Sequence, residues 1–157
     1  MNRAECIQQI RELPQQLAAL THGLTAAQLT THFLPDEWTV AQNVHHLFDS
    51  HANAYIRARL ILTEDRPALK PYNQDAWAAL PDASAADIAT SLTLLTALHA
   101  RWVSFWEALD EADFARSGLH PEYGEMSLDA IVRSYARHGL GHLDQIQRTL
   151  AAETAPA

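Results

Sequence analysis

What most constrains this chain is a repeated spacing. Apolar residues recur every three or four positions over four long stretches, and no stretch sustains the apolar–polar alternation of a half-buried strand. Ile7, Ile10, Leu13, Leu17 and Leu20 form the first stripe and predict a helix from about Arg3 to Leu20. Pro14 lies inside it and is expected to kink it or split off its first turns. His22-Gly23 supplies a stop, and Thr25 to Leu29 a further short turn of helix. The second stripe, Val40, Val44, Leu47, Phe48, Tyr55 and Leu62, follows Thr39 as N-cap. It predicts a helix from Val40 to Thr63, ~35 Å long. The third, Ile88, Leu92, Leu95, Leu98, Trp102, Phe105 and Leu109, is expected to start from a cap at Asp82 or Ser84. The fourth follows a cap at Ser127 and carries Ile131, Tyr135, Leu143, Ile146 and Leu150, with a frayed tail after Ala151.

Between these stretches, Glu64 to Pro81 is a long connection containing three prolines, with room for one helical turn at Tyr72–Trp77. Asp110 to Met126, which includes His120-Pro-Glu-Tyr-Gly124, reads as a loop. The expected fold is all-α: one domain over residues 1–157, a four-helix bundle with a long crossover between the second and third helices. Such a crossover is what two parallel neighbouring helices require. A chain of 157 residues, 48% hydrophobic, suits one sizeable core.

Composition removes several function classes. The formal net charge is −8 and the eleven basic residues are scattered, with Lys70 the single lysine, which argues against a phosphate-binding face. One cysteine, Cys6, rules out an internal disulfide and fits a reducing cytoplasm. No apolar run approaches the ~20 residues of a membrane span and no signal-peptide pattern opens the chain. The expected partner is therefore a small molecule, met in the cytoplasm, with neither nucleic acid nor membrane involved.

The chemistry-bearing residues are histidines. His138 and His142 are four apart on a predicted helix and can offer two imidazoles to one ion. His46, on the second helix, is the candidate third ligand; three neutral imidazoles leave positions open for water or substrate. The bland alternative is chance spacing among nine histidines. Gly139 and Gly141 each cost the helix about 1 kcal/mol relative to Ala, which implies either room for a ligand or close helix packing. Thr39, Asn43, His46, Ser50, Asn53 and Arg57 form a wholly polar row, either a solvated face or the wall of a hydrophilic pocket. Asn43, Asp49, Ser50 and Asp144 are within helical reach of the proposed ligands as partners for their second nitrogens. His45 points about 100° away from His46. His51 and His99 read as packing or hydrogen-bonding histidines, His22 and His32 as surface residues, and the role of His120 stays open. The donor set fits zinc or nickel, iron less well. Arg57 is a candidate for binding a carboxylate or a co-substrate bidentately; a surface ion pair is its alternative. Phosphate-binding glycine loops, dinucleotide fingerprints and the HExxH motif are all missing.

Trp38-Thr-Val-Ala-Gln-Asn-Val-His-His-Leu-Phe-Asp-Ser-His51, Tyr55-Ile-Arg-Ala-Arg-Leu60, Lys70-Pro-Tyr-Asn-Gln-Asp-Ala-Trp77, Leu98-His-Ala-Arg-Trp102, His120-Pro-Glu122 and Tyr135-Ala-Arg-His-Gly-Leu-Gly-His142 follow one another along nearly the whole chain. In that order they resemble the DinB-like superfamily, and within it the YfiT branch of metal-dependent hydrolases and bacillithiol S-transferases. The resemblance implies a four-helix bundle, a divalent ion on His46, His138 and His142, and a homodimer. Three activities follow as expectations. The first is an S-transferase joining a low-molecular-weight thiol, bacillithiol-like, to an electrophile. The second is a hydrolase of a small ester or amide using metal-bound hydroxide. The third is a non-enzymatic bundle with a structural metal.

Overall fold

The computed structural model describes residues 1–153. Its elements are α1 (Arg3–Thr21), α2 (Ala26–Thr30), α3 (Val40–Thr63), α4 (Gln74–Ala78), α5 (Ala89–Glu107), α6 (Glu111–Phe114), β1 (Ser117–His120), β2 (Gly124–Ser127) and α7 (Leu128–Glu153). The four long helices carry the four stripes. Helix α1 packs on α5 and α7, and α3 packs on the same two, so α1 and α3 face each other across a diagonal.

Bonded pairs give the helix directions. His45–Ser91, His51–His99 and Tyr55–Arg101 climb α3 and α5 together, so these neighbours are parallel. Arg3–Asp129, and Leu13 against Gly139, make α1 and α7 parallel as well. Asn43–His142 and His51–His138 run in opposite senses, so α3 and α7 are antiparallel. In chain order the bundle is up, down, down, up. The long connection after α3 is the crossover expected from the sequence, because a chain that must start a parallel neighbour has to return to the same end.

Two apolar clusters fill the interior. One holds Ile10, Ile61, Trp102, Trp106, Leu128 and Ile131; the other holds Leu17, Val40, Val44, Leu47, Leu95 and Ile146. Each such side chain, fully buried, contributes about 1.5–3 kcal/mol. Along α3, His46, Ser50 and His51, all buried, lie where the second cluster, ending at Leu47, gives way to the first, beginning at Ala54. A polar layer is thus enclosed by apolar ones.

Several expectations need correction. Pro14 neither kinks nor splits the first helix: α1 is continuous and Pro14 is buried. Proline removes the N–H that would bond the carbonyl four residues earlier, Ile10 O. His99 Nδ1 from α5 supplies the missing donor at 2.5 Å. The third helix starts at Ala89, not from Asp82 or Ser84, and Ile88 caps it without a side-chain bond. Ser84 closes a separate turn on the Leu80 carbonyl. The region read as a loop contains an antiparallel hairpin, in register from Ser117↔Ser127 to His120↔Gly124, with Gly124 at φ 72°. The hairpin is sewn to the crossover: Leu69 N–H donates to Leu119 O and Leu119 N–H to Pro67 O, both 2.8 Å. Gly118 permits that approach, since a Cβ there would lie 3.0 Å from Pro67 O and from Ile61 and Leu69. Helix α7 continues past Ala151 to Glu153; the rest of the expected frayed tail, 154–157, lies outside the described residues. Thr39 and Ser127 both accept bonds from the first turns that follow them, as expected of caps. Among the described residues no helix is long and apolar enough to cross a membrane.

Candidate metal centre

The site is built where α3 and α7 run antiparallel. Thr39 opens α3 with a capping box: its hydroxyl accepts from Gln42 N–H and the Gln42 carboxamide accepts from Thr39 N–H. This fixes the first turn, from which Asn43 and His46 project on one face. That face is buried at Thr39, Asn43, His46 and Ser50. The polar row therefore borders the bundle interior, not solvent. Helix α7 brings His138 and His142, one turn apart, opposite it. Gly139 lets α7 approach α1, for a Cβ there would meet Leu13 Cδ2 at 2.6 Å; nothing lies within 4 Å of a Cβ at Gly141. Close packing thus accounts for the first glycine, and the second has no such requirement.

The three imidazoles converge. His138 Nε2 lies 3.3 Å from His46 Nε2 and 3.2 Å from His142 Nε2. One donor atom from each of the three residues falls within 4.8 Å of the other two. Nitrogen donors ~2.0–2.1 Å from a tetrahedral ion stand about 3.3 Å apart, so these separations are those of metal ligands. Trp38 walls the cluster, edge-on to His46 at 4.7 Å and stacked on His142 at 6.1 Å between ring centroids.

Hydrogen bonding assigns the protons on two of the ligands. A carbonyl oxygen only accepts, so His99 donates from Nδ1 to Ile10 O, which leaves its Nε2 as an acceptor. His51 Nδ1 then donates to His99 Nε2 at 2.8 Å, and His138 Nδ1 donates to His51 Nε2 at 3.2 Å. The chain ends with a bare lone pair on His138 Nε2. Asn43 does the same for His142. Its amide nitrogen donates to Thr39 O at 2.9 Å, so its oxygen must be the group facing His142 Nδ1, at 2.7 Å. His142 Nε2 is bare as well. Two unprotonated nitrogens 3.2 Å apart repel unless a cation lies between them, and this donor chemistry fits a divalent ion.

Burial, reinforced at His46 and His138 by neighbouring histidines, holds the ligands neutral. The pKa of His46 is pushed down to about 3, that of His138 to about 2 and that of His142 to about 4. His51 is lowered well below the usual range by complete burial and His99 to about 4, also by burial. An ion can enter at neutral pH without displacing protons.

The remaining candidates sort clearly. His45 turns away, bonding Ser91 Oγ at 2.7 Å and Ala85 O at 3.0 Å. Asp144 pairs with Arg148 at 3.0 Å, and Ser50 bonds the Leu47 carbonyl. Of the four proposed partners for the ligands, only Asn43 bonds one. His22 and His32 are exposed. His120 lies on the hairpin, stacked on Tyr123 at 4.7 Å. It shares with Arg57, Tyr72, Tyr135 and His138 the lining of a cavity of about 420 Å³ beside the cluster. The link from His138 through His51 and His99 to Ile10 was not legible in the sequence, although Pro14 marked a helical carbonyl in need of a donor. Replacing His99 with Phe breaks this chain and frees the His51 tautomer. We expect metal affinity to fall about 10-fold or more, measured by chelator competition; unchanged affinity would contradict the relay.

A bundle that brings three neutral imidazoles from two facing helices together in its interior belongs to the class of helical metal-site proteins. The chain is a member of the DinB superfamily, whose family model matches residues 9–146. It is 44% identical over 140 residues to a Bacillus mycoides (strain KBAB4) protein named "Putative metal-dependent hydrolase", covering 89% of this chain and 80% of that one. A Bacillus anthracis (strain A0248) protein of the same name is 43% identical over the same shares. Among solved structures it matches YfiT from Bacillus subtilis, with a TM-score of 0.90, 38% identity, and coverage of 94% of this chain and 85% of that one. YfiT is described as a probable metal-dependent hydrolase with an unusual four-helix bundle topology. The up, down, down, up order derived above is the topology this chain has.

Proposed function

We propose that this protein is a metal-dependent hydrolase of a small ester or amide. The observation that supports the reading is the convergence of three neutral Nε2 donors beside an open cavity, taken with the names its relatives carry. A divalent ion bound there supplies a Lewis acid that polarises a carbonyl and lowers the pKa of water. The chain's own residues do the rest. His46, His138 and His142 hold the ion, with three protein ligands leaving positions open. His51 and Asn43 keep the ligand rings in one tautomer and one orientation. Trp38 and the buried face of α3 exclude bulk water from one side. Burial first of all raises the Tyr135 phenol, which stays protonated and offers a hydrogen-bond donor to a substrate in the cavity.

The thiol-transferase expectation draws no support from the relatives' names, and one experiment separates the two readings. Protein loaded with zinc or nickel is offered chromogenic esters and anilides, with and without a low-molecular-weight thiol. The expected result is turnover without thiol, reduced on the order of 100-fold or more by chelation or in His138→Ala. Turnover that requires a thiol would replace the hydrolase with a transferase. A full coordination sphere with no turnover would leave a structural metal.

A further inference from the structure

The cavity beside the histidine cluster contains a cation with no acidic partner. Arg57 lines it from α3, and among the described residues its guanidinium forms no ion pair. Arg3, Arg11, Arg66, Arg133 and Arg148, by contrast, each pair with an acid. Arg57 is held in place by a bond from Nη2 to Lys70 O at 2.5 Å, by a side-chain hydrogen bond with the Tyr135 phenol, and by the Tyr72 ring, whose centroid is 6.0 Å from the guanidinium carbon. Two such bonds, neither to an acid, leave donors of its five free for a ligand. Its charge reaches the cavity walls: it opposes the burial that raises the Tyr72 and Tyr135 phenols and adds to the burial that lowers His120.

Resting on the hydrolase reading, we propose that this cavity is a carboxylate subsite. Arg57 grips the acid group of the substrate, and His138 at the other end marks the side on which its ester or amide lies. A guanidinium presents a planar fork that matches a carboxylate bidentately. The protonated phenols of Tyr72 and Tyr135 add donors beside it. Glu122 lies on the cavity lining as well and is exposed. One cation facing one acid at the rim suits a monoanion and disfavours a phosphate dianion. A second cavity, which also reaches His138 and His142, is lined by Asp36 and Asp75 and so disfavours an anion, which leaves the Arg57 side for the carboxylate. Arg57 is eleven residues beyond His46, ~16 Å along the helix, and its side chain leans back toward the N-terminus. The substrate is therefore an elongated small molecule whose carboxylate and hydrolysable group are separated by on the order of 10 Å.

The test uses the metal-free full-length protein, so that it does not depend on the hydrolase reading. Calorimetric titration compares 3-phenylpropionate with its neutral primary amide. We expect the carboxylate to bind at least 10-fold more tightly, Arg57→Gln to reduce it to the affinity of the amide, and inorganic phosphate not to displace it. Equal binding of the two probes, no carboxylate binding up to the solubility limit, or a preference that survives in Arg57→Gln overturns the subsite. Displacement by phosphate at lower concentration than the carboxylate overturns its assignment to carboxylates. The comparison within the wild type needs no variant to fold. A preference for the carboxylate in a protein that, once loaded, hydrolyses nothing would leave the subsite standing and remove the hydrolase reading.

Discussion

Protein purified without a histidine tag is expected to carry about one divalent ion per chain, and His138→Ala to carry none. His138 is the middle residue of the cluster: the separations of 3.3 Å from His46 Nε2 and 3.2 Å from His142 Nε2 both run to its Nε2. Its removal leaves two imidazoles and deprives His51 Nε2 of the donor it faces at 3.2 Å. Loss of one of three ligands should weaken binding by on the order of 100-fold or more, beyond the 10- to 100-fold typical of a supporting partner. Elemental analysis of the two proteins, followed by chelator competition, measures both quantities. The imidazole donor set leads us to expect zinc or nickel. A wild-type protein that takes up neither, or a variant that retains its ion, would remove the three-histidine site.

The second large effect is on acid stability. His46, His138, His142 and His99 have pKa values of about 3, 2, 4 and 4 in the folded metal-free protein, against 6.5 ordinarily. Below pH ~6.5 the unfolded chain therefore binds protons that the folded one refuses. Their contribution is fully present above that pH and is lost as the pH falls toward the folded values. Each group can remove up to about 1.4 kcal/mol per pH unit. Between pH 6.5 and 5 we expect the melting temperature of the metal-free protein to fall by about 10 °C or more. The window precedes the titration of most carboxylates, which separates the histidines from acid groups such as Asp129. Metal-loaded protein should resist, because a bound ion occupies the same lone pairs. A flat melting temperature across this range would show that the cluster does not stay neutral on folding.

Pro14 connects these features. As a helix interior residue it should be costly, and its missing N–H strands the Ile10 carbonyl. The same carbonyl anchors the proton order that runs through His99 and His51 to His138. A local defect in α1 is thus compensated across the bundle by the residue that helps define a metal ligand. Sequence inspection of α1 alone leads to a kink because the compensating donor is 85 positions away.

The parts of this protein that could be read from sequence are those governed by near neighbours. The four stripes, the caps at Thr39 and Ser127 and the one-turn spacing of His138 and His142 follow from the geometry of a helix, in which residues three and four apart share a face. The polar row from Thr39 to Arg57 was equally visible, but its two meanings, solvated face or pocket wall, differ only in what packs against it. Hairpin strands of four residues were missed because they carry too few positions for alternation to register; the three-residue link closing on Gly124 was the available sign. Tertiary structure decided that α3 lies antiparallel to α7. That brings His46 to His138 and His142, turns His45 toward α5, and places Asn43 and His51 behind the ligands. The physical reason is range: periodicity is set within a turn of backbone, whereas convergence of three nitrogens on one point depends on helices whose contacts span about ninety residues of chain.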